Sequence, residues 1–216
     1  MTKNRKITKL IAFIVSLTLI MSAVIIPFAG ITVSAKTFWD GTEKQPLADT
    51  ENPDLYLITS AEELAWVVKN GGGKSYKLTN DIYLNDPEKI DWSTGSAVST
   101  YIPKVWYTAN TAGNFYGTLD GDGHTIYGLY VNNEEDCVTA LIPALRINQP
   151  TVVKNLGIDN AYFGTKGKAA AIISQTNYNN TVTISNCYVG EKVTIKGTHA
   201  AAMLAYSGSN FTIDSC

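Results

Sequence analysis

The most polar cluster in the sequence is the run Asp120-Gly-Asp122-Gly-His124. Two carboxylates two residues apart could ligate Ca²⁺ or act as an acid/base pair that cleaves a polysaccharide. The same run also describes a tight turn, because its glycines tolerate positive φ and Asp bonds its own backbone in turns. A site would need further carboxylates from neighbouring segments, whereas the aligned later segments offer Lys154-Asn155 and Ser185-Asn186. We therefore predict a turn, with no catalytic residue and no metal site.

Two other sets of polar residues could carry chemistry. The run Asn132-Asn-Glu-Glu-Asp136 has metal-binding potential, but adjacent acids without the spaced alternation of a calcium loop are typical of a solvated turn. His124 and His199 are the only histidines, and they fall at different positions of an internal repeat. Neither has a repeat-aligned nucleophile beside it. The sequence therefore predicts no catalytic set and no cofactor, and it leaves the binding residues unknown.

Two repeated residue types suggest roles for whole surfaces. Asn155 and Asn186 share one repeat position, which Ser215 occupies next. Stacked amides can hydrogen-bond along a solenoid, so we predict a structural role for this row. Aromatic rings can stack on sugars, and four tyrosines could form such a surface. These are Tyr162, Tyr178, Tyr188 and Tyr206.

The elements that must position these residues come from an internal repeat. Val153-Lys-Asn-Leu156-Gly-Ile158 recurs as Ile184-Ser-Asn-Cys187-Tyr-Val189 and begins again at Ile213, and Ala-rich runs recur between the copies. Self-similarity at a period of roughly thirty residues is typical of a solenoid. An earlier copy is predicted with Ile126 at the position of Val153, and with Val138-Thr-Ala-Leu-Ile142 at the position of the Ala-rich runs.

The residue types indicate which solenoid this is. The repeated runs are short, rich in Val, Ile, Thr and Tyr, and separated by Gly and Asn, which favours strands and turns over helices. Regular leucines and long helical segments, which other repeat families require, are absent from the sequence. We predict an all-β fold, a parallel β-helix, over residues 76–216.

The segment ahead of the coils is predicted to cap them. Residues 36–75 contain a capping box, Ser60-Ala-Glu-Glu63, then an apolar helical face and a stop at Gly71-Gly-Gly. A short helix here would cover the open first coil. Tyr76–Leu78 and Ile82–Leu84 are predicted as the first strands, and Asn85–Asn114 as a long excursion packed on the flank of the coil.

Residues 1–35 are predicted to be a signal peptide. Lys3, Arg5, Lys6 and Lys9 precede the apolar run Leu10–Ile26, and Val33-Ser-Ala35 has the small residues that a signal peptidase accepts. A membrane-anchoring helix is the alternative. Without this segment, 13 basic residues (17 − 4) face 19 acidic ones, a net charge of −6. That balance argues against a nucleic-acid partner. Contact with a membrane is expected only through the signal segment, during export.

The three cysteines are predicted to be unpaired. Cys187 and Cys216 occupy the position that Leu156 holds in the preceding copy, so they are predicted to be buried apolar residues. A disulfide between stacked coils is the alternative, but parallel strands about 4.8 Å apart match poorly to Cβ atoms about 3.8 Å apart. Cys137 is also predicted to be unpaired.

Parts of the chain resemble secreted bacterial β-helix proteins. The run from Phe115 to Ile126 resembles the opening coil of exported right-handed β-helix proteins, and Asn186-Cys-Tyr-Val-Gly with the Ala-rich run after it resembles GLUG-type repeats of bacterial surface proteins. Tyr56–Leu64 is similar to the leader ahead of such coils. The Gly-Gly-Leu-Val-Gly core of GLUG repeats is here Ala170-Ala-Ile-Ile-Ser and Ala201-Ala-Met-Leu-Ala. The resemblance and the usual handedness of parallel crossovers imply a right-handed coil.

These observations favour a non-catalytic module, secreted or held at the cell surface. It is expected to serve adhesion, or to bind a glycan or a protein, such as an extracellular polysaccharide or a host or cell-surface protein. A polysaccharide lyase or glycosidase of the β-helix type is the alternative, and a structural spacer is a third. The last repeat stops after its first strand at Cys216. We therefore predict an incomplete last coil and a longer protein with further modules.

Overall fold

The structure, a computed structural model, describes residues 36–177, 179–208 and 210–216. Thr37–Cys216 forms one unit with an apolar core. The predicted signal peptide over residues 1–35 lies outside the described residues, and so does Tyr178. Within the described ranges, no helix is long and apolar enough to cross a bilayer.

The repeated apolar runs form a β-solenoid of about three turns with mostly parallel sheets. Each turn contains five short strands, and the last strand begins another. The first turn contains β7 (Gly117–Asp120), β8 (Thr125–Tyr127), β9 (Tyr130–Asn132), β10 (Val138–Thr139) and β11 (Ile142–Leu145). The second contains β12 (Thr151–Lys154), β13 (Gly157–Asp159), β14 (Ala161–Gly164), β15 (Lys168–Ala170) and β16 (Ile173–Thr176). The third contains β17 (Thr181–Ser185), β18 (Tyr188–Val189), β19 (Val193–Lys196), β20 (His199–Ala201) and β21 (Leu204–Ser207), followed by β22 (Asn210–Asp214).

From residue 36 to the first turn, the chain adds one helix and six short strands. They are β1 (Leu47–Ala48), β2 (Leu55–Ile58), α1 (Ala61–Asn70), β3 (Lys74–Leu78), β4 (Ile82–Tyr83), β5 (Ile90–Asp91) and β6 (Ser96–Ala97). The largest sheet has seven strands in the order β1-β2-β3-β7-β12-β17-β22, and β1 pairs antiparallel with β2. The parallel part of this sheet therefore begins at Leu55, before the predicted first strand.

The predicted alignment of the later repeats is confirmed by the strand register. Val153 of β12 lies beside Ile184 of β17, which lies beside Ile213 of β22. The predicted alignment of the earliest copy is wrong by one strand. Ile126 pairs with Ile158 and not with Val153, whose partner is Leu119 on the preceding strand. Apolar residues with similar spacing occur on successive strands of a turn, so spacing alone does not separate neighbouring strands.

The Ala-rich run of the second turn belongs to the interior. Ala169 and Ala171 are fully buried, and Ala169 lies between Thr139 and Ala200 in adjacent strands. The predicted match of Val138–Ile142 to the Ala-rich runs is confirmed, since Ile142 pairs with Ile173. Small side chains are favoured at these fully buried positions, because closely packed interiors leave little room for extra methylenes.

Helix α1 begins at the predicted capping box. The Ser60 side chain accepts a hydrogen bond from the backbone N–H of Glu63, and the apolar face of the helix joins the core. Glu63 does not return the bond to Ser60; its carboxylate instead accepts from the backbone N–H and the hydroxyl of Thr59. The helix ends at Asn70, and Gly71 has extended backbone (φ −71°, ψ 132°). Glycine is required at this position, because a Cβ atom there would lie 2.4 Å from the carbonyl oxygen of Val67.

Glu63 makes the stability of this region depend on pH. Its side chain is buried and ion-paired with Lys44 at 2.8 Å. Burial alone would raise the pKa of Glu63, but the hydrogen bonds from Lys44 and Thr59 outweigh burial and lower it. A lowered folded-state pKa means that this contribution is complete above the unfolded value of about 4.3 and is lost as pH falls through the folded value.

We expect Glu63→Gln to lower the free energy of unfolding by about 1 kcal/mol at pH 7, since neutral hydrogen bonds replace charge-assisted ones. The difference from wild type should shrink as pH falls below about 4.3, where the wild-type carboxylate becomes protonated. Urea unfolding at pH 7, 5 and 3 measures this. Glu62→Gln, at a half-buried position of the same helix, is the matched control. A difference that stays constant from pH 7 to pH 3 would contradict the assignment.

The predicted excursion packs on the flank of the coil. Its hairpin, formed by β5 and β6, places Ile90 and Trp92 in a second buried cluster with Tyr130 and Tyr162 on the outside of β9 and β14. Farther along, the indole Nε1–H of Trp106 donates to the carbonyl oxygen of Leu141 at 3.0 Å. The excursion is therefore a packed part of the fold.

Candidate functional site

A shallow groove crosses the outer face of the seven-stranded sheet. We call it the sheet groove, and its cavity of about 250 Å³ is lined in part by Asp54, Ser75, Lys77, Thr118, Asp120 and Lys154. Side chains on a strand alternate between the two faces, so Thr118 and Asp120 point outward while Leu119 is buried in the core. The register then aligns outward residues from successive strands into two rows. One row contains Ser75, Thr118, Val152, Thr183 and Thr212, and the other contains Lys77, Asp120, Lys154, Ser185 and Asp214.

Charges alternate along the first three residues of the second row, Lys77, Asp120 and Lys154. The Lys154 ammonium lies 3.1 Å from the Asp120 carboxylate, and the Lys77 ammonium lies 2.8 Å from the Asp122 carboxylate. The hydrogen bond from Lys77 to Asp122 raises the pKa of Lys77, so its ammonium stays charged. The groove thus presents cations and anions side by side, and it is also lined by hydroxyl groups.

Asp120 is committed to several partners. Its Oδ1 accepts from the Asn155 amide and from the backbone N–H of Asp122, each at 2.9 Å. Burial alone would raise the pKa of Asp120, but the hydrogen bonds from Asn155, Asp122 and Lys154 outweigh it and lower the pKa. The carboxylate is therefore held ionised at neutral pH, which suits it to accept hydrogen bonds and not to donate a proton.

The run from Asp120 to His124 forms the predicted turn. Positive φ is found at Asp122 (50°) and Gly123 (86°), but not at Gly121. Gly121 is needed for close approach, because a Cβ there would lie 2.4 Å from the carbonyl oxygen of Asn155. His124 lies with its Nδ1 3.4 Å from the Asp81 carboxylate.

The other polar candidates lie apart from the sheet groove. His199 is on β20, where its ring meets Tyr206 edge-on with centroids 6.1 Å apart. In the acidic loop, the Asn133 side chain accepts from the backbone N–H of Glu135 at 2.9 Å, which is a turn contact. Among the described residues, no three His, Cys, Asp or Glu side chains are grouped to hold a metal ion.

The predicted ladder of stacked amides is confirmed, and it leads into the sheet groove. Asn186 donates through Nδ2 to Oδ1 of Asn155 at 2.8 Å, and Asn155 donates to Asp120. Both asparagines have positive φ, 51° and 53°, at the corner between two strands. Asn is one of the few residues that tolerates this conformation, so backbone and ladder favour the same residue.

Comparison with known proteins does not indicate a function for this chain. No known protein family, curated protein or solved structure matches this chain. A solenoid fold alone does not assign a function, because function resides in the sites that the fold carries.

The described tyrosines of the predicted sugar-binding surface do not form one surface. Tyr162 is buried under the excursion, Tyr188 is half-exposed on β18, and Tyr206 lies on β21. A different pair, which no sequence pattern predicts, forms an aromatic stack: Tyr83 and Tyr127 have centroids 4.9 Å apart, and their planes differ by 10°. Only the register of β4 against β8 brings these two rings together.

The three cysteines are free, as predicted. Burial raises the pKa of Cys187 to about 11, so its thiol is protonated and unreactive at neutral pH. The prediction that Cys216 is buried is wrong, because the residue is exposed. Cys187 is covered by the coils on both sides of it. Within the described chain, Cys216 is covered on the Cys187 side, where its Sγ accepts a hydrogen bond from the backbone N–H of Cys187.

Proposed function

We propose that this protein is a non-catalytic extracellular or cell-surface module that binds a glycan along the sheet groove. The observation that carries the proposal is the pair of aligned rows on the outer face of the seven-stranded sheet, in which every residue except Val152 is polar or charged. Each row has one residue on each of five parallel strands, and four spacings of about 4.8 Å give the rows a length of about 19 Å. A surface of this length suits an extended polymer better than a small molecule.

The chemistry of the sheet groove supports a hydroxyl-rich ligand. Lys77 and Lys154 supply donors, Asp54 supplies acceptors, and Thr118 can do both. Protein–protein interfaces are instead enriched in aromatic and apolar residues at their centre. The near balance of charges in the groove also disfavours a polyanion or a polycation.

Binding is favoured over cleavage by the state of Asp120. A glycosidase acid needs a carboxyl group whose pKa is raised, whereas the partners of Asp120 lower its pKa. Each oxygen of this carboxylate is also already engaged by a neighbour. We therefore prefer the binding module over the alternatives of a polysaccharide lyase or glycosidase and of a structural spacer.

The proposal also covers how the module is exported, the handedness of its coil and the role of α1. Residues 1–35 would direct export from a bacterial cell, since they combine a basic start, an apolar run and a small-residue ending. The coil would be right-handed and GLUG-like, and α1 would cap its first turn. The packing of Leu64, Val67 and Val68 into the core supports a capping role for this helix.

Affinity electrophoresis of residues 36–216 through gels containing xylan, pectin, cellulose derivatives, chitosan or mannan tests the proposal. We expect at least one polymer to retard the wild type. Thr118→Trp fills the sheet groove and Lys154→Ala removes a donor, and each should weaken retardation about tenfold or more, since a lost charged hydrogen bond is worth about 1.5–3 kcal/mol.

Two controls keep the result interpretable. Both variants should unfold within about 1 kcal/mol of wild type, because the changed side chains are exposed or half-exposed. His199→Ala changes another face and should leave retardation unchanged. Migration unaffected by any polymer would contradict the binding proposal. Release of soluble fragments that is lost in Asp120→Ala would contradict its non-catalytic part.

A further inference from the structure

A second cavity lies on a different flank of the solenoid, beside the excursion. We call it the hairpin cleft; its volume is about 400 Å³, which is in the range of small-molecule sites. One wall is the hairpin segment with Asp91 and Ser93, and the other is the loop and strand with Glu191, Lys192 and Thr194. Trp92, which is 6% exposed, also lines the cleft. None of these residues lines the sheet groove.

The cleft exists because one outward row changes from large to small side chains. The register places Tyr130 of β9, Tyr162 of β14 and Thr194 of β19 side by side. The hairpin packs on the two rings, which are buried, and the Tyr130 hydroxyl donates to the carbonyl oxygen of Gly95 at 2.9 Å. At the third position the ring is replaced by a threonine, so a space opens between Thr194 and the hairpin.

Carboxylates hold the backbone of both walls in place. Asp159 accepts from the backbone N–H groups of Asn160 and Lys192, at 2.7 and 3.2 Å. On the hairpin, Asp91 accepts from the backbone N–H and hydroxyl of Ser93, and these contacts, led by the Ser93 hydroxyl, lower its pKa. The indole Nε1–H of Trp92 donates to the carbonyl oxygen of Pro87 at 3.0 Å. The cleft is therefore preformed, which reduces the entropy lost on binding.

The lining of the cleft selects one class of ligand. Glu191 and Lys192 are exposed, and their side chains have no hydrogen bond or ion pair within the described part of the chain. Two carboxylates, Asp91 and Glu191, against one ammonium disfavour an anionic ligand. Acceptors, one cationic donor, hydroxyls and the indole of Trp92 together match a neutral pyranose, which has hydroxyl groups at its rim and C–H groups on its faces.

We propose that the hairpin cleft is a binding site for a neutral monosaccharide or disaccharide, independent of the sheet groove. The Glu191 carboxylate would accept from sugar hydroxyls, and the Lys192 ammonium would donate to them. Trp92 would contact a ring face or edge. A small sugar bound here and a polymer bound in the groove would occupy different sides of the same coil.

Titration calorimetry of residues 36–216 with glucose, galactose, mannose, N-acetylglucosamine and their β-linked disaccharides tests the proposal. We expect saturable binding of at least one of them. Thr194→Trp extends the ring row into the cleft and should abolish binding, and the double variant Glu191→Ala/Lys192→Ala should weaken it about tenfold or more. Because Glu191 and Lys192 are exposed, the double variant should keep the fold, which far-UV circular dichroism verifies.

Thr118→Trp is the matched control, since the same substitution then fills the sheet groove instead. It should leave sugar binding in the cleft unchanged, just as Thr194→Trp should leave polymer retardation unchanged. Absence of heat or saturation with every sugar would overturn the cleft proposal alone. Binding that survives Thr194→Trp, or that is lost in Thr118→Trp, would place the sugar elsewhere and would overturn it too.

Discussion

The Asn85→Ala variant is expected to lose about 3–4 kcal/mol of unfolding free energy. Asn85 is fully buried where the excursion leaves the coil. Its amide donates to the carbonyl oxygens of Lys104 and Gly128, at 2.9 and 2.8 Å, and accepts from the backbone N–H of Lys104 and the hydroxyl of Tyr101. Four hydrogen bonds at about 1 kcal/mol each are lost, and buried groups remain without partners.

The loss should be visible locally as well as globally. Asn85 joins the two ends of the segment 85–104, so the variant should be cleaved faster within residues 86–104 in limited proteolysis, in addition to unfolding at lower urea concentration. Asn80→Ala is the matched control, because Asn80 is exposed, and it should change stability by less than about 0.5 kcal/mol. A loss below about 1 kcal/mol in Asn85→Ala would show that the amide does not hold this segment.

Phe163→Ala is expected to lose about 3–5 kcal/mol of unfolding free energy. Phe163 lies on β14 with its side chain fully buried, and it is flanked in the register by Val131 and Ile195. Truncating the ring removes apolar burial and leaves a cavity inside the coil, where the neighbouring strands are fixed by their ladders and relax little.

Phe211→Ala provides the comparison, because Phe211 is 55% exposed. The same substitution there should cost much less than at Phe163, and Phe163→Leu should cost less than Phe163→Ala, since it keeps most of the apolar volume. Urea unfolding followed by far-UV circular dichroism measures all three variants. Equal losses at positions 163 and 211 would contradict the assignment of Phe163 to the core.

The hairpin cleft shows what sequence patterns leave out. Trp92 and Thr194 are about a hundred residues apart and belong to no common motif. They line one cavity because a hairpin inserted before the first turn folds back over the second and ends beside the third. The only signal of the cleft in the sequence is the change from Tyr130 and Tyr162 to Thr194. That change becomes visible once the strand register is known.

The sequence by itself determined the repeat, the parallel coil, the N-cap at Ser60, the turn at Asp120 and the stacked amides of Asn155 and Asn186. These features depend on local residue types or on spacing that repeats from turn to turn, so the same physical rule applies to each copy. Tertiary structure alone decided the register of the first copy, the partners of Asp120 and the formation of both cavities. Those depend on which strands become neighbours, and a shift by one strand would change every contact across the sheets while leaving the local pattern unchanged.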